Sequence, residues 1–294
     1  MSRSIDHLVW AVKDLAAGRH FMEQLGFQSA PLGVHPFGTG NHNVFFDQSF
    51  LEVLSVLDAK KIIPADAANA FSFSDFNATY LQKREGISMM VVNTPDARKD
   101  EVTLKKAGWQ TYPSFHFSRP NVLPDGQTVE VAFTSTFCTH PLLPDLAFFV
   151  CQHHHPQYIW HEQYRQHQNQ IKGIAEVHLV CESPSLVLPL FQALFDCQQI
   201  SKQEGRLSLH TGKEIIHLVK METFRDTHVI ESDQTLIPSI AAIDFELETE
   251  VWEKLILRLQ KNKTPFQKNT QDFQLTSTNA FGCHLKVNRL NHKA

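Results

Sequence analysis

The sequence contains no Cys-x-x-Cys pair. Its five cysteines, Cys138, Cys151, Cys181, Cys197 and Cys283, stand apart and odd in number, which argues against a disulfide framework or a structural zinc knuckle and fits a reducing compartment. A cytoplasmic location is the expectation. No uninterrupted apolar run approaches the roughly 20 residues that span a bilayer, and the short apolar stretch near the amino terminus soon meets charge again, so neither export nor membrane insertion is expected. Positive charge is also in deficit. Lys and Arg total 27 against 31 for Asp and Glu, a formal net charge of -4, and such a chain has no general attraction to phosphate backbones or anionic lipid. Nucleic acid and membrane surfaces are therefore not expected partners. Glycine (12) and proline (14) are too few in 294 residues for a collagenous or low-complexity chain, while 42% hydrophobic and 20% charged residues match a folded protein with a buried core. What is plentiful is histidine and phenylalanine, 17 and 22 beside 4 Trp and 4 Tyr. Such histidine density raises the question of metal or acid-base chemistry, although most histidines are ordinary polar surface groups.

The length predicts two domains of roughly 150 residues each, and an internal repeat supports that number. SIDHLVWAV reads as a strand; Asp14 follows as a helix N-cap, and Leu15, Phe21, Met22 and Leu25 make a helical stripe that Gly26 ends. HNVFFDQSFLEVLSV then reads as two strands joined by a tight turn near Asp47 to Ser49. The same order recurs as GISMMVVNT, a helix closed by Gly108, TVEVAFTSTF and DLAFFVCQ. It returns as IAEVHLVCE, SPSLVLPLFQALFDC and a hairpin turning at Thr211 and Gly212, and once more as IPSIAAIDFEL, TEVWEKLILRLQKNK, DFQLTST and FGCHLKV. The expected fold is α+β: four βαβββ modules, over 4–56, 86–152, 171–222 and 236–290. One such unit has an uncovered sheet edge and too little apolar area to stand alone. Pairing gives an N-terminal domain over 1–152 and a C-terminal domain over 171–294, with a polar, aromatic linker over 153–170.

IDHLVWAV, DLAAGRHFMEQLGF and FLEVLSV resemble the first module of the vicinal oxygen chelate superfamily, which includes glyoxalase I, extradiol dioxygenases and bleomycin-resistance proteins. HPFGTGNHNVFFDQSFLEVLSV is similar to a glyoxalase-like subgroup with His-Pro, Gly-Thr-x-Asn and a Leu-Glu strand. The resemblance implies two open barrels of paired modules. In the superfamily's enzymes a divalent metal sits inside, held by His on the first strand and carboxylate or His on the last strand of each module, and chelates two oxygens of the substrate. Carried over by position, these ligands are His7 and Glu52. Period-two alternation sets Glu52 on one face with Phe50 and Leu54, a costly place for a carboxylate unless it is paired, protonated or metal-bound.

The second module departs from that pattern. Met89 stands where the next His belongs, and Phe148 or Phe149 where a carboxylate belongs, so either the His153–His155 run supplies a ligand, with His153 the tentative choice, or the barrel binds no metal. In the second half His178 and His217 occupy the positions of His7 and Glu52. His284 matches the last-strand position of the fourth unit, but Cys283, Leu285 and Val287 make the apolar face, and His284 reads as solvated. His35, Asn41, His42, Arg119 and Phe148 are the expected substrate-binding residues, with Arg119 an anchor for a carboxylate. Gly38 and Gly40 serve a turn.

The function these residues imply is an enzyme acting on a small oxygen-rich organic molecule by proton abstraction or ring-opening beside a carbonyl or diol, with His7 and Glu52 catalytic. A divalent metal (Zn, Fe, Mn or Ni) is one version of it. The alternative is a metal-free binding protein of the bleomycin-resistance type. A monomer and a homodimer are both compatible with four modules in one chain.

Overall fold

The computed structural model describes residues 2–65, 71–123, 125–230 and 237–290. Among them, seventeen strands and six α-helices build one continuous sheet that is not closed into a barrel. The four-module reading holds, because the same pairing recurs four times. In the first module the strand Ile5–Ala11 lies parallel to the strand Phe50–Val56, with His7 opposite Phe50 and Val9 opposite Glu52. Gly86–Asn93 pairs likewise with Ala147–His153, Glu176–Val180 with Ile215–Val219, and Ser239–Glu248 with His284–Leu290. The opening strands of successive modules then pair antiparallel, Ile5–Ala11 with Gly86–Asn93 and Glu176–Val180 with Ser239–Glu248. Within the sheet, among the described residues, the two halves pair at a single rung, Ile240 opposite Ile87.

Local chemistry places the first module's helix. Asp14 accepts a hydrogen bond from the Ala17 N–H (3.0 Å) and starts the helix Leu15–Gln24. Gly26 adopts φ +85° just beyond its end, a left-handed conformation that costs glycine nothing. The expected hairpins close where anticipated, with Phe46 N–H donating to the Ser49 carbonyl (2.8 Å) and Thr211 N–H to the Glu214 carbonyl (3.1 Å). Several elements went unanticipated, the short strand Ile200–Gln203 among them. Phe115–Val122 forms a long hairpin with Thr128–Thr139, the helix Phe73–Lys83 links the first two modules, and the helix Met221–Arg225 links the last two. The stretch read as a linker is pinned to the first half, with Trp160 edge-on to Phe45 (5.7 Å) and Phe50 (5.9 Å).

One apolar core runs through both halves, from Trp10, Phe21 and Phe148 to Phe191, Phe195 and Phe245. Two indoles tie its halves together: Trp10 Nε1 donates to the Phe281 carbonyl (2.9 Å) and Trp109 Nε1 to the Leu190 carbonyl (3.0 Å). Arg258, on the helix Thr249–Lys261, donates to the Glu23 (2.8 Å) and Gln24 (2.9 Å) carbonyls, satisfying groups that the end of the first helix leaves unpaired. Backbone meets backbone beside them: a Cβ on Gly282 (φ +79°) would lie 2.0 Å from the Glu85 carbonyl oxygen, so only glycine fits that approach. None of the described helices is long and apolar enough to cross a membrane. Of a smaller cluster of Val9, Leu54, Met89, Val91, Phe137 and Phe149, Phe137 and Phe149 line a cavity in the first half.

Trp10→Ala should lower stability by about 3–5 kcal/mol, as large aromatic deletions in cores do, and Trp10→Phe by less. Urea denaturation followed by circular dichroism reads the difference.

Candidate functional site

The cavity encloses about 570 Å³ and is open to solvent at one side. Its polar end is built on parallel ladders. Because His7 pairs with Phe50, Glu52 lies two residues further along the neighbouring strand on the same face, and His7 Nε2 stands 3.5 Å from Glu52 Oε2. Asp6 also faces inward, although strict alternation would turn it away. The register slips between Ile5 and His7, and such a bulge lets neighbouring side chains share a face. Asp6 Oδ1 accepts from His7 Nδ1–H at 2.6 Å, and its other oxygen lies 2.7 Å from His153 Nε2. Asn41 Nδ2–H donates to Glu52 Oε1, and His35 Nδ1 meets Thr39 Oγ1 at 2.8 Å. The remaining walls are aromatic, chiefly Phe37, Phe50, Phe71, Phe73, Phe133 and Phe149. The His7 ring stacks on Phe50 at 4.3 Å and meets Phe149 edge-on at 5.5 Å.

Charge is arranged tightly at this end. Burial opposes ionisation of Asp6, but His153 and His7 outweigh it and hold the carboxyl well below its usual range. Burial also works against the His153 imidazolium, yet Asp6 lifts it to about 11. Desolvation pulls His35 down despite Glu52, so that ring is neutral near pH 7. With Asp6 accepting from Nδ1–H, a neutral His7 turns the Nε2 lone pair toward Glu52. Two acceptors then face each other at 3.5 Å, an unfavourable arrangement until a proton or a ligand donor lies between them. Asn43 Oδ1, also lining the cavity, is buried without a hydrogen-bond partner among the described residues. The Arg119 guanidinium reaches the Pro120 carbonyl at 3.4 Å and lies within the electrostatic range of Glu52.

The structure thus brings His7, Glu52, His35, Asn41, Arg119 and His153 to one hollow. It does not bring two others. His42 points to the opposite face of the strand Thr39–Phe45, where its Nδ1–H donates to the Ala30 carbonyl (2.9 Å). Phe148 packs into the main core against Trp109 (5.1 Å) and Phe191 (5.4 Å), and Phe149 takes the cavity-facing place instead. Sequence reasoning missed Asp6, whose signal was a lone carboxylate inside an apolar strand. It also missed Asn43, two residues from Asn41 and therefore on the same face. In the second half His284 is 2% exposed, not solvated, because the segment around Phe224 and His228 covers that face of its strand.

The described residues hold three groups whose donor atoms converge as metal ligands would: Asp6 with Cys151 and His153, Glu176 with His178 and His217, and His178 with His228 and Asp244. His7 and Glu52 supply two donors, and no third His, Cys, Asp or Glu among the described residues converges with that pair. The neighbouring group does not complete it. Its carboxylate already serves two imidazoles, and burial pushes the Cys151 thiol up, away from the thiolate a metal needs. The donor set at His7 and Glu52 therefore does not fit a tightly held metal, which takes three or more protein ligands.

The Asp6–His153 pair makes a pH prediction. Raised in the fold, His153 stabilises fully below its ordinary 6.5, and that contribution is lost as pH rises toward about 11. Asp6, depressed in the fold, stabilises above its ordinary 3.8 and loses this as pH falls further. The stability gap between wild type and His153→Gln should be widest between those ordinary values and shrink from pH 6.5 to pH 9 in urea titrations.

The model of the glyoxalase-like domain family matches residues 5–195. No curated protein matches the chain. Solved structures resemble it across nearly its whole length. A hypothetical protein from Staphylococcus aureus has a TM-score of 0.68 at 11% identity, covering 99% of this chain and 100% of that one. A 4-hydroxymandelate synthase variant from Streptomyces coelicolor has 0.58 at 13%, covering 99% and 93%. A variant of homoprotocatechuate 2,3-dioxygenase from B. fuscum has 0.57 at 10%, covering 99% and 73%. At these identities the likeness is one of fold, while the family match spans well over half the chain. The chain belongs to the glyoxalase-like domain family.

Proposed function

We propose that the first-half cavity binds a small, mainly apolar or aromatic molecule bearing oxygen functions at one end, and moves a proton beside its carbonyl or hydroxyl group. The observation that carries this reading is the facing pair, His7 Nε2 and Glu52 Oε2, 3.5 Å apart at the polar end of an aromatic-walled hollow. A substrate hydrogen placed between them gives each acceptor a partner. Glu52 takes the proton as general base, and Asn41, by donating to its other oxygen, fixes the carboxylate's orientation. His7 is held in one tautomer by Asp6, so its Nε2 can accept a proton and return it at a neighbouring atom. Arg119 offers a cation for a substrate carboxylate or a developing enolate, and Asn43 Oδ1 offers an acceptor for a hydroxyl. The aromatic walls exclude water and select flat, apolar bodies. Members of the fold described as 4-hydroxymandelate synthase and homoprotocatechuate dioxygenase carry names of aromatic, oxygen-bearing compounds, in keeping with such a hollow. No step here needs a metal at His7 and Glu52.

A second reading is sequestration without turnover. What favours it is Phe149 on the cavity wall and Met89 packed in the apolar cluster beside it, at positions where the superfamily's enzymes carry ligands.

The two readings separate in one experiment. A thermal-shift panel of aryl 2-oxo acids, aryl hydroxy acids and catechols identifies binders, since a ligand of the folded state raises Tm. Each hit is then incubated in D2O and examined by mass spectrometry. Exchange of the carbon-bound hydrogen, slowed about 10²–10⁴-fold in Glu52→Gln while the thermal shift is retained, supports proton transfer. Hits that bind wild type with no exchange would overturn it in favour of sequestration. For acidic hits, Arg119→Gln should weaken binding about tenfold or more, the size of a lost charge-assisted contact, with neutral hits unaffected.

A further inference from the structure

The proposed reaction leaves unused a second cluster of ionisable groups in the opposite half: the buried His178, His217, His228 and Asp244, with the half-buried Glu176 at their edge. Its placement follows from the same ladders. Glu176 pairs with Asp244 across the antiparallel rungs and His178 with His217 across the parallel ones. His228 comes from outside the sheet, in the turn after the helix Met221–Arg225, and its ring stacks on Phe224 at 4.2 Å. His178, His228 and Asp244 are respectively 2%, 3% and 1% exposed.

The hydrogen-bond balance of this cluster does not close. Thr227 Oγ1 lies 3.0 Å from His228 Nδ1 and 3.3 Å from the Phe224 carbonyl, and can donate to either. His228 Nε2 meets Asp244 Oδ1 at 3.2 Å, as a donor in one tautomer and as a free lone pair in the other. His178 is worse placed. Both of its ring nitrogens are buried without a hydrogen-bond partner among the described residues, although Asp244 Oδ1 lies 3.4 Å and Glu176 Oε2 3.5 Å from its Nε2. An imidazole so buried should be satisfied. Charging both rings to satisfy the carboxylates would set two cations side by side, for the His178 and His228 centroids are 4.5 Å apart.

A single divalent ion supplies the partner that the buried His178 ring lacks. We infer that His178 Nε2, His228 Nε2 and Asp244 Oδ1 form a buried binding site for one divalent cation of the zinc class. Tetrahedral zinc with bonds of about 2.0–2.1 Å holds its ligand atoms roughly 3.3–3.4 Å apart, and the two carboxylate–imidazole separations here are 3.2 and 3.4 Å. Two nitrogens and one oxygen suit zinc better than magnesium or calcium. The outer contacts have the form that metal-binding histidines need, Thr227 Oγ1 standing 3.0 Å from His228 Nδ1, where it can accept that nitrogen's hydrogen. Glu176 lies beside His178 and is engaged by His217 Nε2 at 2.9 Å, while Ser208 Oγ meets His217 Nδ1 at 2.7 Å. These groups form the adjoining wall of the site. Lys286 Nζ, 4.0 Å from the far oxygen of Asp244, offsets part of the remaining negative charge. The three ligands link the third module's opening strand, the turn after its last strand and the fourth module's opening strand, so the ion pins the second half together. The site's role is structural, and it operates independently of His7 and Glu52.

The test uses full-length protein without an affinity tag. Metal content is measured by mass spectrometry as purified and after addition and removal of excess zinc, and cobalt(II) is added to metal-stripped protein. The expected result is one equivalent of zinc per chain, a higher Tm for the loaded protein, and visible cobalt bands of tetrahedral intensity. His228→Gln and Asp244→Asn should lose the equivalent, and Thr227→Val should weaken zinc binding about 10–100-fold, whereas His7→Ala should keep it. Circular dichroism of each variant establishes that it folds. Should a ligand variant fail to fold, wild-type stoichiometry, the cobalt spectrum and the Thr227→Val affinity decide the matter. Absence of a stoichiometric ion in reconstituted wild type, or zinc retained at full affinity by folded His228→Gln and Asp244→Asn, would overturn the inference.

Discussion

The parallel pairing of each module's first and last strands is the constraint from which the chemistry follows. It fixes which residues of a unit can meet, whatever the loops between them do. In the first module it sets Glu52 beside His7, and in the third it puts His217 opposite His178. One rule of register therefore makes both halves into places where ionisable groups gather in an apolar sheet. Keeping charge there is expensive, and the structure keeps it by sharing. Asp6 serves His7 and His153 together, and Asp244 lies between His178 and His228.

The halves have used the same scaffold differently. In the first, aromatic side chains stand back from the polar end and leave a hollow reaching solvent. In the second, Phe224 and its turn close over the equivalent groups, and the histidines become nearly inaccessible. An open site can exchange a ligand, and a closed one can retain it. Under the two proposals, recognition falls to one half and cohesion to the other.

Much of this was legible in the sequence because strand pairing obeys simple periodicities. The four repeated units, the helix-ending Gly26 and the meeting of His7 with Glu52 all follow from local pattern and the superfamily's plan. What was not legible depended on departures from period two or on segments outside the strands. A one-residue slip turned Asp6 inward. Parity placed Asn41 and Asn43 in the cavity and His42 behind it, and it chose Phe149 over Phe148. His284 was misread because the segment around Phe224 and His228 covers it, which no pattern within GCHLKV could reveal. His228 had no signal at all, since a turn between units carries no expected register.

The backbone contact at Gly282 and Glu85 makes the module boundary something other than a place to cut. Two turns from opposite ends of the chain rest against each other there with no room for a methyl group, and the Phe281 carbonyl beside them receives the Trp10 indole. Trp10 belongs to the strand that also presents Asp6 and His7. The turn at Phe281 and Gly282 thus acts as a buttress for the strand that lines the cavity, and the open half leans on the sealed one.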